Sequence, residues 1–471
     1  MRLVRKRNGL EDLFSSEKIG EAITNCFVEQ GYSVKDVEDD IIDIVKIINS
    51  DLSLISVEDI QDKIELELMK KNPSVAKAYI LYRDTKSRER SYVRNYNFLS
   101  KEFLNKYKHT QPPLTMVGMF TFLRTYSRFI PELGRRETYL EAVARSVDAN
   151  VSFVYKIKPK LTNEEFKKYK KEAEELFDNI FNCRQFLSGR LFWVGGTENT
   201  EKFPTSIYNC SFTKITDFED FSEVMYLLSL GCGVGYRIFD EDVSQLNEVR
   251  CNVNILHSDY NEVPKNERLE MTEVTFFDNT ATITVGDSRK GWCVALSQYF
   301  NIISNDMFSD IDNIIINYDN VRPYGEPLKT FGGRASGHTS LLKMFTKITR
   351  AVKDSEGKLT PLNCLDILGA IGQCIVAGGT RRSAMICLME DSQNDLKEAK
   401  SKLYTLKDGK WVIDTSIDHR TMSNNSVIYN YKPTFEQISK HIDIQRYSGE
   451  PAMINGVEAK RRFGDFAGLN P

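Results

Sequence analysis

Residues 272–285 (TEVTFFDNTATITV) and 311–318 (IDNIIINY) are the clearest strand-forming runs of the sequence, because β-branched and aromatic residues dominate both. From Phe120 onward such runs alternate with charged helical stretches, of which 161–180 is the plainest. Glycine-dense segments that read as turns lie at 231–235, 332–337 and 378–379. Strands interleaved with helices favour a large α/β domain whose loops gather at one end of a sheet or barrel.

The overall composition excludes several classes of protein. The chain has 471 residues, 41% of them hydrophobic and 27% charged, with a net charge of −3. No global basic field therefore favours nucleic acid or a membrane surface as a direct partner. No window approaches the ~20 apolar residues of a membrane span, and the N-terminus lacks a signal-peptide core. We expect a cytoplasmic protein of about two to four domains.

The cysteine pattern disfavours a disulfide scaffold and a zinc ribbon, because the number of cysteines is odd and no CxxC pair occurs. We expect most of them to be buried, inert thiols, and we predict no metal site. The nine positions are 26, 183, 210, 232, 251, 293, 364, 374 and 387.

Residues 1–95 look like a separate small module. Asn8-Gly9 stands between the apolar pairs Leu3-Val4 and Leu13-Phe14, the strongest short signal for a β-hairpin. Ser16 is placed to cap a first helix that ends before Gly31. Further helices are indicated over 34–48, from Ser56 to Asn72, and from Ser74 towards Arg94. A hairpin with four helices is a compact unit, and 96–119, with Pro112-Pro113 inside it, reads as a linker to a larger domain over 120–471.

The hairpin turn is strongly basic, since Val4-Arg5-Lys6-Arg7-Asn8-Gly9 carries three cations and Lys18 follows on the next helix. Charge alone allows either a solvated turn or a polyphosphate clamp. The turn, followed by Lys18-Ile19, resembles the ATP-cone module. That resemblance implies that ATP and dATP are opposed allosteric effectors, and it allows Mg²⁺ to accompany the nucleotide. The effector-binding residues that it implies are Val4, Lys6, Arg7, Asn8, Gly9 and Lys18.

Five blocks of the larger domain, taken together and in order, resemble the adenosylcobalamin-dependent ribonucleoside-triphosphate reductases. Any one of them alone would be a weak signal. They are Arg124-Thr-Tyr-Ser-Arg-Phe129 with Pro131 and Gly134-Arg135; Asn209-Cys210-Ser211-Phe212; Arg322-Pro-Tyr-Gly325 through Phe331-Gly-Gly-Arg-Ala-Ser-Gly337; Val376-Ala-Gly-Gly-Thr-Arg-Arg-Ser-Ala384; and His419-Arg420 with Ser423-Asn-Asn-Ser426.

The resemblance implies an α/β fold, the N-terminal part of a ten-stranded α/β barrel, preceded by the mostly helical ATP-cone. Asn470-Pro471 falls where the family has Asn-Pro-Cys-x-Glu on a finger loop inside the barrel. The implied activity is the reduction of ribonucleoside triphosphates to deoxyribonucleoside triphosphates by thiyl-radical chemistry, with adenosylcobalamin as cofactor. In that scheme Cys210 is the hydrogen donor, and Asn470 orients the sugar hydroxyls.

The same resemblance assigns the remaining sites and partners. Deoxynucleotide effectors would bind the segment Gly286–Gly291 through Ser288, Arg289 and Lys290, for which a plain exposed turn is the alternative. Arg381-Arg382-Ser383 is expected on a loop near the nucleotide. Further partners are thioredoxin or a similar dithiol and a C-terminal half that carries the radical cysteine. The substrate-binding residues would be Asn209, Ser211, Arg334, Ser336, Asn424 and Asn425.

Three hypotheses remain open at this point. The first is the regulatory and substrate-binding part of a cobalamin-dependent reductase. The second is a reductase that uses a separate radical-generating subunit, which shares the barrel and an ATP-cone. The third is a nucleotide-binding fragment that never performs chemistry by itself. Departures from the family pattern, such as Gly379-Thr380 before the arginines, Cys232 in place of glycine and the short stretch between Phe212 and Gly231, leave the oligomeric state open.

The position of Asn470-Pro471 carries its own expectation. Inteins favour active-site motifs, and splicing requires Cys, Ser or Thr directly after the insertion. The residue that the family places next is Cys. We therefore expect the N-terminal part of an intein-split reductase, with a split reading frame or an incomplete sequence as alternatives, and we expect the isolated chain to be inactive.

Overall fold

The computed structural model describes residues 3–5, 11–53, 56–91, 95–327, 334–377, 380–381 and 384–471. The chain divides into two units, Met1–Gln185 and Phe186–Pro471. Within the described ranges no helix combines the length and the apolar character needed to cross a bilayer.

The first unit begins with the predicted hairpin and helices. Strands β1 (Leu3–Arg5) and β2 (Glu11–Leu13) pair antiparallel, while the turn between them lies outside the described residues. Four helices follow: α1 (Ser16–Glu29), α2 (Val34–Ser50), α3 (Val57–Lys71) and α4 (Pro73–Ser91). The predicted hairpin strands and four helices are thus confirmed.

Two helix caps show how local sequence sets these boundaries. The cap of α1 is Ser15 and not Ser16, because the Ser15 hydroxyl accepts the N–H of Lys18 at 3.3 Å. Ser56 caps α3 as predicted, and it forms a capping box with Asp59. Apolar residues at helical spacing then meet in one core, in which Ile23, Phe27 and Ile44 are fully buried.

The rest of the first unit is mainly helical and rich in aromatic side chains. The stretch predicted as a linker holds a short helix, and its Phe98 and Phe103 are buried, Phe98 stacking on Tyr155 with ring centroids 5.5 Å apart. The elements are α5 (Lys101–Asn105), α6 (Met116–Thr121), a π-helical turn (Phe122–Tyr126), β3 (Phe129–Ile130), β4 (Arg135–Arg136), α7 (Tyr139–Ser152), α8 (Val154–Ile157) and α9 (Asn163–Phe181). The last of these confirms the helix predicted at 161–180.

The second unit alternates helices and strands. Its helices are α10 (Gly189–Val194), α11 (Glu198–Lys202), α12 (Phe218–Ser229), α13 (Asp240–Val243), α14 (Arg289–Ser304), α15 (Thr339–Asp354), α16 (Pro361–Cys374), α17 (Asn394–Lys397), α18 (Phe435–Ser448) and α19 (Gly456–Phe463). Its strands are β5 (Cys210–Lys214), β6 (Gly233–Arg237), β7 (Asn254–His257), β8 (Glu273–Phe277), β9 (Thr280–Thr284), β10 (Asn313–Asn317), β11 (Val376–Ala377), β12 (Thr380–Arg381), β13 (Ala384–Glu390), β14 (Tyr404–Lys407), β15 (Lys410–Ile413), β16 (Ser423–Tyr429) and β17 (Ala452–Asn455).

Five of these strands build a parallel sheet in the order β17-β16-β13-β6-β5. Parallel strands need long crossovers, and the chain supplies them with the intervening helices. A second sheet has the order β7-β10-β9-β8, in which β8 and β9 form an antiparallel hairpin and β10 runs parallel to both of its neighbours. Both β-rich runs of the sequence are therefore confirmed as strands, the first as a hairpin and the second as β10.

The glycine-dense segment 231–235 is not a turn throughout, so the turn that the sequence predicts there is wrong for the second half of the segment. Gly233 and Gly235 belong to β6, a buried strand of the parallel sheet. Glycine is a poor strand former, so its presence inside a central strand indicates a close approach of other backbone.

Candidate active site

The parallel sheet has two unequal faces. Side chains alternate along each strand, and the register aligns Cys210 with Gly233 and Gly233 with Ala384. We call the face that carries these residues the inner face. The opposite face carries Val234, Tyr236 and Met385, which pack in the large apolar core. On the inner face a small apolar cluster includes Leu388 and Ile428, with Phe212 and Phe466 packed against it.

Residues 468–471 cross this inner face. The thiol of Cys210 lies 3.5 Å from the carbonyl oxygen of Pro471. A Cβ on Gly235 would overlap the carbonyl oxygen of Leu469, and one on Gly233 would lie 2.9 Å from the Pro471 ring. The two glycines therefore make the room that the 468–471 segment occupies. Sequence reasoning missed this role, although two glycines at a spacing of two residues, both on one face of a strand, would have signalled it.

Gly468 belongs to the segment that crosses the inner face, and it too has no room for a side chain. A Cβ on Gly468 would overlap the ring of Phe212 and would lie 2.9 Å from Leu388 Cδ1. Glycine is thus required on both partners, on the strand and on the segment that crosses it. This mutual fit fixes where Asn470 stands relative to Cys210.

Several predicted site residues meet here. Cys210 and Asn470 are exposed on the same side of the sheet as Asn424, which the register also places on the inner face. Asn209 directly precedes Cys210, and its carbonyl accepts the N–H of Gly233 at 2.7 Å. The structure therefore brings one thiol and two amide side chains, those of Asn470 and Asn424, to the same exposed face of the sheet.

Two other predicted substrate contacts lie on the opposite face. Alternation places Ser211 away from Cys210. Asn425 is 2% exposed, and its Oδ1 has no hydrogen-bond partner among the described residues. The structure therefore does not bring Ser211 and Asn425 to the accessible area around Cys210.

An ion pair between a buried lysine and a half-buried glutamate supports β16 from that opposite face. Lys400 Nζ lies 2.6 Å from Glu450 Oε2, and the same carboxylate oxygen accepts the N–H of Asn425 at 2.8 Å. Lys400 also donates to the carbonyl of Ser423. The pair fixes the start of β16, and hence the position of Asn424, through residues that sequence reasoning did not single out.

Asp366 anchors the turn that leads into β16. Its carboxylate accepts Arg420 Nε at 2.6 Å and Nη2 at 2.8 Å, and it lies 2.9 Å from His419 Nε2. Burial alone would raise the pKa of Asp366, but the hydrogen bonds from Arg420 and His419 outweigh it and lower the pKa. The His419-Arg420 block thus has an observed structural role in fastening this turn to α16.

Arg334 and Ser336 follow a segment outside the described residues. Arg334 Nη1 donates to the carbonyl of Gly325 at 3.0 Å, and the hydroxyls of Ser336 and Ser340 lie 3.0 Å apart. The loop predicted at Arg381-Arg382-Ser383 is only partly described. Arg382, Ser383 and the side chain of Arg381 lie outside the described residues.

The segment predicted to bind deoxynucleotide effectors is a helix start and not a free loop. Ser288 caps α14, its hydroxyl accepting the N–H of Gly291 at 2.9 Å and donating to the carbonyl of Glu270 at 2.6 Å. Arg289 is half-buried with its guanidinium 4.6 Å from the centroid of the Phe203 ring, and burial lowers its pKa. Lys290 is exposed.

The predicted nucleotide contacts of the first unit are only partly described. Val4 is 5% exposed and packs in the core of that unit, so its side chain is closed to a ligand. Lys18 is exposed in the first turn of α1. Lys6, Arg7, Asn8 and Gly9 lie outside the described residues.

A metal ion or a cobalamin would need a site built from the described residues. They contain no group of three or more His, Cys, Asp or Glu side chains placed to hold a metal ion. A cavity of about 250 Å³ adjoins the inner face and is lined by residues such as Arg237, Glu390 and Lys460. Pockets for drug-sized ligands enclose roughly 300–1,000 Å³, so this cavity does not fit the larger cobalamin, and no reaction step is assigned to a cofactor there.

Three domain families match the chain. The ATP cone domain matches residues 2–88, and the ribonucleotide reductase alpha domain matches residues 99–197. The insertion domain of B12-dependent ribonucleotide reductase matches residues 251–352.

Individual relatives agree with these matches. An adenosylcobalamin-dependent ribonucleoside-triphosphate reductase of Lactobacillus helveticus (strain DPC 4571) is 28% identical over 78% of this chain and 52% of its own length. Its counterpart in Lactobacillus acidophilus is 27% identical over the same shares. This chain thus spans about half the length of the curated relatives it matches.

A solved structure extends the likeness to the fold. The crystal structure of a B12-dependent (class II) ribonucleotide reductase superposes with a TM-score of 0.63 at 26% identity, over 76% of this chain and 52% of that one. The α/β fold expected from the sequence is therefore confirmed. The domain matches, the relatives and the fold agree: this chain carries an N-terminal ATP cone, a ribonucleotide reductase alpha domain and a B12-dependent insertion domain, and it is similar to the B12-dependent (class II) ribonucleotide reductases over about half of their length.

Proposed function

We propose that this chain supplies the nucleotide-binding part and half of the reaction surface for the reduction of ribonucleoside triphosphates to deoxyribonucleoside triphosphates. One observation carries the proposal: an exposed thiol and an Asn-Pro segment, far apart in sequence, lie 3.5 Å from each other on one face of a parallel sheet. A nucleotide sugar placed there would contact a hydrogen donor and an amide at the same time.

The role of Cys210 follows from the balance of the reaction. Exchanging the ribose 2′-hydroxyl for hydrogen takes two electrons and two protons, which two thiols supply as they become a disulfide. Cys210 would give one hydrogen to C2′. The second hydrogen would leave with the 2′-hydroxyl as water. When bound, adenosylcobalamin would supply the radical that starts the reaction. We infer use of this cofactor from the relatives, whose names specify it.

The amides would hold the sugar in place. Asn470 is proposed to orient the sugar hydroxyls, with further contacts from Asn424 on the same inner face and from Asn209, which directly precedes Cys210. Amide groups suit this task because each offers both donors and an acceptor. Arg334 and Ser336 are proposed as phosphate or base contacts. Ser211 and Asn425 would act by shaping their strands.

Regulation would occur at two places. We propose that ATP and dATP bind the N-terminal module, over 1–95, through the basic hairpin and Lys18, with Mg²⁺ on the phosphates. Deoxynucleotide effectors would bind at the start of α14 through Ser288, Arg289 and Lys290. The cysteines are all free, which suits the reducing cytoplasm in which we place the reaction, with thioredoxin or a similar dithiol as reductant.

A reductase with a separate radical-generating subunit is the second candidate. The match of residues 251–352 to a B12-dependent insertion domain favours a cobalamin-dependent reductase over a reductase with a separate radical-generating subunit.

The test combines this chain with the polypeptide that corresponds to the other half of its relatives. CTP or ATP, adenosylcobalamin and a dithiol are added, and deoxynucleotide is measured. We expect product with the wild type, none with Cys210→Ser, and wild-type turnover with Cys183→Ser as the matched control. No product from the wild type, or full turnover by Cys210→Ser, would overturn the proposal.

A further inference from the structure

Arg268 carries a buried guanidinium between two segments that the proposed function uses. Its side chain is 3% exposed, and its Nη atoms lie 2.8 Å from carboxylate oxygens of Glu262 and Glu326. Its Nε donates to the carbonyl of Val263 at 2.9 Å. A buried guanidinium must be paired in this way, and its planar fork fixes the directions of its partners.

Asp287 joins the same cluster and links it to the start of α14. One oxygen of Asp287 lies 3.8 Å from Arg268, and the other accepts Arg322 Nε at 2.9 Å and the Arg322 N–H at 3.1 Å. Asp287 directly precedes Ser288, the cap of α14. Displacing the 288–290 segment would therefore pull on a carboxylate shared by two arginines.

Glu326 links the cluster to the other segment. The carbonyl of Glu326 accepts the N–H of Ala335 at 2.8 Å, and the N–H of Gly325 donates to the carbonyl of Ala335 at 3.0 Å. Arg334 and Ser336 flank Ala335. The side chain of Glu326 holds Arg268, while its backbone holds the 334–336 segment.

The cluster is balanced in charge and closed to solvent at its centre. The carboxylates of Glu262, Asp287 and Glu326 face Arg268 and Arg322, and Lys265 stands 3.8 Å from Glu326. The hydrogen bond from Arg268 lowers the pKa of Glu326. Since breaking such a buried network leaves an unpaired charge, the two segments are held in one mutual arrangement.

We propose that Arg268 is a positioning residue that couples the effector segment 288–290 to the substrate segment 334–336. The inference rests on the proposed function of those segments. The carboxylates of Asp287 and Glu326 face the same rigid guanidinium of Arg268. A shift of the effector segment is therefore resisted by the substrate segment, and a shift of the substrate segment by the effector segment. Such coupling is measured as the factor by which one ligand changes the affinity for the other.

The test is equilibrium binding to the 471-residue chain. The affinity for CTP is measured with and without saturating dTTP, because ATP and dATP would also bind the N-terminal module. In the wild type we expect the deoxynucleotide to change this affinity, so that the ratio of the affinities measured with and without it differs from one. In Arg268→Lys, which keeps the charge and loses the fork, we expect the ratio to fall towards one while each affinity alone changes less than about threefold. Arg350→Lys, an exposed arginine paired with Asp354, is the matched control and keeps the wild-type ratio.

Glu326→Gln provides a second route to the same answer, because it weakens the cluster at its half-buried end and should also lower the ratio. A wild-type ratio in both folded variants, checked by thermal melting, would overturn the role of Arg268. A wild type that binds both nucleotides with a ratio of one would also overturn it, and would leave the proposed function standing. A wild type that binds neither nucleotide would overturn both.

Discussion

The thiol sulfur of Cys210 lies 3.5 Å from the carbonyl oxygen of Pro471, which stands 261 positions further along the chain. Three glycines make this approach possible, since Gly233 and Gly235 on the strand and Gly468 on the crossing segment leave no Cβ in the way. The Cys210 thiol is thus positioned by the absence of side chains around it as much as by its own strand.

Gly235→Ala should displace the 468–471 segment from the sheet. The new Cβ would overlap the carbonyl of Leu469, and moving the segment is cheaper than distorting a buried strand. Overpacking of this kind costs roughly 1–3 kcal/mol. Each cost of about 1.4 kcal/mol corresponds to a tenfold change in an equilibrium. Hydrogen–deuterium exchange of the peptide covering 464–471 should therefore become about tenfold faster.

The matched control for that variant is Gly20→Ala. A Cβ on Gly20 would meet only Val45 Cγ2, at 4.0 Å, and alanine favours the helix that contains it. Exchange at 464–471 should stay at the wild-type rate in this control. Unchanged exchange in Gly235→Ala as well would contradict the role given to the glycine.

The Glu137–Arg145 pair should show strong energetic coupling. Both side chains are 1% exposed, and two hydrogen bonds of 2.8 and 2.9 Å join them. Removing one partner of such a pair leaves a buried charge and costs about 3–5 kcal/mol of the free energy of unfolding. Glu137→Gln and Arg145→Met should each lose that much in urea denaturation. The double variant should lose clearly less than the sum, and additive losses would argue against coupling.

His257 should make stability depend on pH. Its Nδ1 lies 2.9 Å from the hydroxyl of Tyr318, and burial lowers its pKa. The unfolded chain therefore binds a proton first, at about pH 6.5, so the free energy of unfolding should fall as pH drops from there and be constant above it. His257→Asn should remove part of this slope in urea titrations between pH 7 and 5. The exposed His109→Asn is the control, and an equal change of slope in both variants would count against His257.

Local signals predicted much of this fold, and long-range contacts could not be predicted. Serine caps and apolar spacing gave the helices of the first unit, although the cap of α1 shifted from Ser16 to Ser15. Gly233 and Gly235 were read as a turn, because glycine is locally a turn residue and the segment that crosses them lies more than 230 positions away. The Arg268–Glu326 pair spans 58 positions, and no spacing rule identifies such partners.

Asp366→Asn should loosen the start of β16. Asparagine cannot accept both hydrogen bonds of the Arg420 fork, and it leaves that guanidinium, which is 12% exposed, without its counter-charge. We expect a loss of about 3 kcal/mol in the free energy of unfolding at pH 7. The pKa of Asp366 is lowered in the folded state, so its contribution is complete above the unfolded pKa of about 3.9 and fades as pH falls below it. The difference between wild type and variant should therefore shrink in urea titrations below pH 4. Asp354→Asn, which alters an exposed partner of Arg350, should show neither the loss nor its pH dependence, and a difference in Asp366→Asn that persists undiminished at pH 2 would refute the assignment.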